Sequence, residues 1–307
     1  MRQMKEELLT QLERRGYRAK IVSIEHLSGI QEEIQSRHTQ GLFDEDFFRE
    51  RLSWFDFRPS SDLPEAKFVI VVAFPQPKIS VIFNRHGERK RLILPPTYLH
   101  YPIEEAEKIV SDIINPEGYF ITPVALPLKL LAVRSGLGRY GRNNICYVDG
   151  MGSFHRLMAF YSDYPCATDD WGDEHMLELC EKCRACIHAC PSGAITLERF
   201  LIHAERCLTF HNERAVEFPS WIDPSWHHCI VGCLHCQRVC PQNRKYWSWM
   251  EDREEFSEEE TALLLAGITE HNLPPLMKEK LERLSLIEYL DVLPRNLKVL
   301  LDGKDEH

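Results

Sequence analysis

Nine of the eleven cysteines in this 307-residue chain fall between Cys180 and Cys240. The first run, Cys180-Glu-Lys-Cys183-Arg-Ala-Cys186-Ile-His-Ala-Cys190-Pro191, is C-x2-C-x2-C-x3-C-P without a gap. Three thiolates at that spacing on one short loop can wrap three corners of an iron–sulfur cubane. A second run, Cys233-Leu-His-Cys236-Gln-Arg-Val-Cys240-Pro241, has the same ending but lacks a first cysteine, and Cys207, alone between the runs, is its natural replacement. Eight ligands make two complete sets of four, hence two 4Fe–4S clusters. Paired C-x2-C motifs also build zinc ribbons, yet zinc needs neither the third cysteine two residues on nor the C-x3-C-P endings. Cys146, Cys166 and Cys229 fall outside the pattern and read as small buried or surface residues.

The first run is similar to that of bacterial two-cluster ferredoxins. That resemblance implies a crossed pairing, with Cys180, Cys183, Cys186 and Cys240 on one cluster and Cys190, Cys207, Cys233 and Cys236 on the other. Spacing alone permits other assignments. His227, His228 and His235 lie close by in sequence and read as neighbours of the clusters rather than ligands. The turns at residues 191–195 and 241–243 offer backbone N–H groups to cluster sulfurs, which helps set reduction potentials.

The rest of the chain must position these groups. With 44% hydrophobic residues it is long enough for two cores. A net charge of −10 argues against a broad electrostatic footprint for nucleic acid, while leaving room for a local basic patch. No apolar run reaches membrane-spanning length and the N-terminus lacks a secretory h-region, so a cytoplasmic protein with no membrane association is expected. Thiols stay reduced in that compartment, which again favours metal ligation over disulfides.

Residues 1–16 show helical spacing and 19–24 a short β-branched run. Residues 25–51 read as polar helix and 55–64 as loop. Residues 67–74, Lys-Phe-Val-Ile-Val-Val-Ala-Phe, are the strongest strand signal and imply burial on both faces. Residues 81–83 and 91–94 fit a hairpin about His86-Gly87-Glu88. A helix over 103–114, a strand over 118–122 and a helix over 128–134 that stops at Gly136 follow. Residues 144–148 and 154–161 read as two strands joined by the turn 149–152. The acidic run 251–260 then separates a helical tail broken by Pro274, Pro275 and Pro294. The fold class is α+β: an α/β domain over 1–165, a double-cluster ferredoxin-like domain over 166–250 and a helical tail over 251–307.

CEKCRACIHACPSGAI, the ERC of Glu205 to Cys207 and GCLHCQRVCPQN together resemble epoxyqueuosine reductases, and are similar to cobalamin-dependent reductive dehalogenases. Upstream, LPEAKFVIVVA from Leu63 looks like that family's first core strand, and LAVRSGLGRYGRN from Leu131 like its glycine-rich segment. The resemblance covers roughly residues 60–245 and implies a nitroreductase-like α/β domain. It further implies cobalamin held near Gly136, Leu137, Gly138, Tyr140, Gly141, Arg142 and Asn143. Glycines there would let backbone approach a large planar ligand, although Gly136-Leu-Gly138 reads equally as a helix end and turn. A low-potential donor such as ferredoxin or flavodoxin would supply electrons to an unidentified substrate or partner.

One position departs from the family. Where its proposed proton-donating aspartate is expected, counting back from Gly138 gives Thr122, which cannot act as a general acid. Tyr140, His155, Tyr161 and Asp163 are the other protic groups nearby in sequence, and none is singled out. These residues rank a cobalamin-dependent iron–sulfur reductase first, an electron carrier or corrinoid-reducing activator second, and an epoxyqueuosine reductase acting on tRNA last.

Overall fold

The computed structural model describes residues 2–59, 61–166 and 169–303. In chain order it holds α1 (Arg2–Arg14), β1 (Arg18–Ser23), α2 (Leu27–Thr39), α3 (Glu45–Arg51), β2 (Phe68–Pro75), β3 (Lys78–Arg85) and β4 (Glu88–Leu94). Next come α4 (Tyr101–Ile114), β5 (Ile121–Pro123), α5 (Leu128–Arg134), β6 (Gly138–Tyr140), β7 (Cys146–Val148) and β8 (His155–Ser162). The remainder is α6 (Ala185–Ala189), α7 (Leu208–Asn212), α8 (His235–Arg238), β9 (Met250–Phe256), α9 (Glu258–Leu265), α10 (Pro275–Arg283) and α11 (Leu293–Asp302). Two compact units form: one from the chain up to Gln76 with Pro102–Arg184 and Leu197–Ile202, the other from Pro77–Tyr101, Ala185–Thr196 and the chain from His203 on. These units differ from the sequential segments 1–165, 166–250 and 251–307, because the β3–β4 hairpin pairs with β9 rather than with its sequence neighbours.

The first unit is built on an antiparallel sheet of order β1-β2-β8-β5. Side chains alternate across it. Val22, Val69, Val71, Ala73, Ala159 and Tyr161 face a core with α2 and α5, while Ile21, Ile70, Val72, Phe74, Met158 and Phe160 face α1 and α4. Helices on both faces explain why β2 is an unbroken apolar run even though its partners are antiparallel. The strands expected over 144–148 and 154–161 exist but do not form a hairpin with each other: β7 pairs with β6 and β8 with β2 and β5.

In the second unit, β3 lies between β4 and β9, antiparallel to the first and parallel to the second. Ile79, Val81 and Phe83 of β3 pack with Phe256 and with Leu264, Met277, Leu281, Leu293 and Leu297 of α9 to α11. The Phe83 and Phe256 rings stack at 5.0 Å. The acidic run is therefore not a linker. It forms β9 and then the first turn of α9, where Ser257 and Glu260 make a reciprocal capping box. Nor do the prolines break a tail: Pro275 sits at the first turn of α10 and Pro294 at that of α11, positions where proline's missing N–H costs nothing.

His155 begins β8 fully buried. Its ring donates to the Gly152 carbonyl, Nδ1 has no partner, and burial pushes its pKa from 6.5 down to about 4. The fold holds the neutral ring, so below pH 6.5 the unfolded chain takes up a proton that the native chain resists until about pH 4. Stability therefore falls as pH drops through that window, by at most about 3 kcal/mol from this group. Urea midpoints of wild type and H155Q at pH 7 and pH 5 check this, with the pH-dependent loss expected to be smaller in the variant.

Candidate metal centre

The cluster cysteines sit on short turns because their spacing leaves no room for long elements. Cys180 lies in a 3-10 turn at Glu178–Glu181 and is buried. Its carbonyl accepts from the Arg142 and Arg184 guanidinium groups at 3.3 and 3.1 Å, and Arg184 also reaches the Cys183 carbonyl at 2.9 Å. These two cysteines belong to the first unit; Cys186, Cys190, Cys207, Cys233, Cys236 and Cys240 belong to the second.

In the second unit Cys186 is on α6, which packs against α8, the helix carrying Cys236. Cys207 stands just before α7, where the N–H groups of Thr209 and Phe210 and the Thr209 hydroxyl point at its sulfur. The Cys190 sulfur is 3.5 Å from the Ser192 hydroxyl. Burial pushes the Cys207 and Cys233 thiols up, and the charges of Cys190 and Cys207 push Cys233 further. Cys190, Cys207 and Cys233 therefore share one partly buried neighbourhood and would repel one another as thiolates. Such a set is stable with its charge only around a cation, and an all-sulfur donor set of this spacing suits iron. The amides aimed at sulfur would hold a cluster bound there and tune it.

The ring nitrogens of His228 and His235 and the sulfur of Cys233 lie within 4.8 Å of one another. Both His228 nitrogens are already engaged. Nδ1 donates to the Trp226 carbonyl at 3.2 Å and Nε2 accepts from the Leu234 N–H at 3.0 Å. Burial pushes its pKa down to about 4 and keeps the ring neutral, and with both nitrogens spent on the backbone it ties the cysteine loop together. His235 likewise spends Nε2 on the Trp226 carbonyl, at 3.0 Å.

Sequence reasoning missed the braces. The Asn296 amide on α11 donates to the carbonyls of Asn212 and Ile230 at 2.9 and 3.0 Å. The neighbouring Arg295 reaches the His211 carbonyl at 2.9 Å and lies 3.7 Å above the Phe218 ring. These bonds fasten the segments that carry Cys207 and Cys233. The only signal was an amide in an otherwise apolar helix face.

The glycine-rich segment packs against its own chain. A Cβ at Gly138 would lie 2.5 Å from the Cys146 sulfur and 2.9 Å from the Tyr147 carbonyl oxygen. At Gly141 it would lie 2.5 Å from Asn143 Oδ1 and 2.6 Å from the Tyr147 ring. Leu137 and Tyr140 are buried in the core, and the Asn143 amide donates to the Tyr147 hydroxyl at 3.0 Å. Gly136 faces open space and ends α5, its N–H donating to the Val133 carbonyl. The requirement for glycine at 138 and 141 thus has an explanation in intrachain packing, which gives no support of its own to a corrin ring there. Of the other protic candidates, Tyr161 is directly across the sheet from Thr122. Its hydroxyl is buried without a partner among the described residues, and burial, with the Asp56 charge, pushes its pKa up to about 12. Asp163 Oδ1 accepts from the Phe120 N–H.

Thiols, turns and amides of this kind define an iron–sulfur protein, and comparison with known proteins agrees. Residues 179–243 match the family described as 4Fe-4S double cluster binding domain. The chain is 34% identical to the epoxyqueuosine reductase of Escherichia coli (strain K12) over 141 residues, 45% of this chain and 35% of that one. The match thus spans about a third of that relative's length. The structure of epoxyqueuosine reductase from Streptococcus thermophilus superposes with a TM-score of 0.67 at 18% identity, covering 97% of this chain and 80% of that one. Another epoxyqueuosine reductase, crystallised with an epoxyqueuosine-modified tRNA-Tyr stem loop, gives 0.63 at 18% identity, covering 99% and 86%. The chain carries a double 4Fe–4S cluster domain, resembles epoxyqueuosine reductases in sequence and shares their mixed α/β fold.

Replacing Cys207 by serine should remove about half of the bound iron and acid-labile sulfide, as loss of one cluster of two requires. C229A, outside the two ligand sets, should keep the full complement. Iron and sulfide analysis of anaerobically reconstituted protein makes the comparison.

Proposed function

We propose that this protein is an iron–sulfur reductase of the epoxyqueuosine reductase kind, taking low-potential electrons through two clusters to reduce its substrate. The observation that carries this reading is the double-cluster domain joined to a fold shared over 97% of the chain with an epoxyqueuosine reductase. The relatives also reverse the order in which sequence alone ranks the alternatives. Epoxyqueuosine in tRNA becomes the first substrate to test, and a tRNA stem loop is the ligand of one structural relative. The net charge of −10 argues only against a broad basic surface, not against a local one.

Deoxygenation of an epoxide to an alkene consumes two electrons and two protons and releases water. The electrons would arrive singly from a ferredoxin or flavodoxin. One proton must reach the departing oxygen. Thr122 cannot give it, whereas the Tyr161 phenol across the sheet remains protonated at neutral pH and has no competing partner. Cobalamin rests on the resemblance alone, and a cytoplasmic location on the reduced thiols it requires.

Anaerobically reconstituted protein, given dithionite, methyl viologen and tRNA containing epoxyqueuosine, should convert it to queuosine, read by mass spectrometry of the nucleosides. Corrinoid analysis of the same material tests for cobalamin. Y161F should lower turnover by about 10²-fold with cluster content unchanged. Thr122 in place of a carboxylate favours a second reading, an electron carrier. Clusters that reduce and reoxidise normally while the modified tRNA stays untouched would establish that reading and overturn the first.

A further inference from the structure

The alternation of β3 sends Ile79, Val81 and Phe83 into the apolar core with α9 to α11. Lys78 and Ser80 point to the opposite face, yet they too are buried, at 5% and 1% exposure. Ser80 pairs with Ile93, and Ile93 bridges to Cys229, so the register brings Lys78, Ser80 and Cys229 to one side of the sheet. The Lys78 ammonium lies 3.8 Å from the centroid of the Trp247 ring. Trp247 follows the second cysteine run by seven residues.

A buried ammonium requires a counter-charge. Burial pushes the Lys78 pKa down, the neighbouring Cys229 is held as a neutral thiol by its own burial, and no carboxylate acts on Lys78 among the described residues, so the chain itself leaves the ammonium without a counter-charge. Cys229 stands four residues before Cys233 in the same loop, and the charges of Cys207, Cys229 and Cys190 would all act on the Cys233 sulfur. A 4Fe–4S cluster with four thiolate ligands carries a net charge of −2 when oxidised and −3 when reduced. We propose that Lys78, sealed from water by Trp247, is the fixed cation of the cluster held by Cys190, Cys207, Cys233 and Cys236, and raises its reduction potential.

The sign follows from Coulomb's law: a nearby positive charge stabilises the −3 state more than the −2 state, and in a buried setting the effect is weakly screened. One of two similar clusters thereby becomes the better electron acceptor. Cation–π contact contributes by holding the ammonium in place while presenting no competing anion. Ser80, whose hydroxyl is also buried and unpartnered, lies two residues along the same face. Lys78 is thus a positioning residue for charge, acting on the cluster and not on the substrate.

Redox titration of the reconstituted full chain, followed by electron paramagnetic resonance, tests this without any turnover assay. K78M should move one of the two midpoints downward and leave the other in place, with iron content unchanged. K78R, which keeps the charge, should stay near wild type. If K78M fails to take up iron, K78Q carries the same comparison. An unmoved midpoint in the uncharged variant overturns the proposal, as does an equal shift in both clusters or a shift in K78R as large as in K78M. The inference stands on the cluster domain, so failure to reduce epoxyqueuosine leaves it untouched.

Discussion

Gathering partly buried cysteine sulfurs at one place is costly once they carry charge, and much of the second unit answers that cost. Burial pushes the Cys207 and Cys233 thiols up, and neighbouring cysteine charges add to it, Cys190 at Cys207 and Cys207, Cys229 and Cys190 at Cys233. Without iron such sulfurs stay protonated. With iron the negative charge is shared with the metal, and the folding free energy of these loops becomes partly a binding free energy. The surrounding turns donate N–H groups to sulfur, as Thr209 and Phe210 do at Cys207. Loops of this kind cannot support themselves, which is why α11 reaches across with Asn296 and Arg295 to fix their carbonyls. Those carbonyls are buried, so removing the amide would leave two acceptors unsatisfied.

What the sequence disclosed follows from how local each signal is. The double-cluster domain was readable because cluster geometry dictates spacing over a dozen residues. β2 was readable because both its faces are covered, and the β3–β4 hairpin because His86 and Gly87 occupy its turn with positive φ. β9 was hidden. Met250–Phe256 is nearly all charged, lies at a sheet edge, and finds its partner β3 some 170 residues earlier in the chain, so neither hydropathy nor proximity announces it. Its acidic side chains meet basic ones, as Glu255 does Arg89 at 2.7 Å and Glu254 does Arg283 at 2.6 Å. Exposed pairs of this kind add little stability, yet they keep the edge charged and closed to other strands.

Gly138 and Gly141 show a motif with two physical readings. Glycine permits close approach, and sequence cannot say whether the approaching body is a ligand or the chain itself. Here it is Cys146, Tyr147 and Asn143. The same contacts account for the burial that pushes the Cys146 thiol up to about 12, leaving it an inert packing group rather than a nucleophile or ligand.

Electrons and protons follow different physical rules in this molecule. Electron transfer between buried clusters tolerates protein in between and is steered by fixed charge, so one ammonium such as Lys78 acts on it without touching any reacting atom. Proton transfer tolerates no gap and requires a donor within hydrogen-bond reach. A cluster relay can therefore persist unchanged while the proton donor is exchanged. The sheet of the first unit holds threonine where a carboxylic acid is expected, and directly across from it lies a buried phenol without a partner. A phenol whose pKa is raised gives up its proton only to a strongly basic acceptor. Such a donor suits an oxygen leaving as an alkoxide better than a neutral carbonyl or amine.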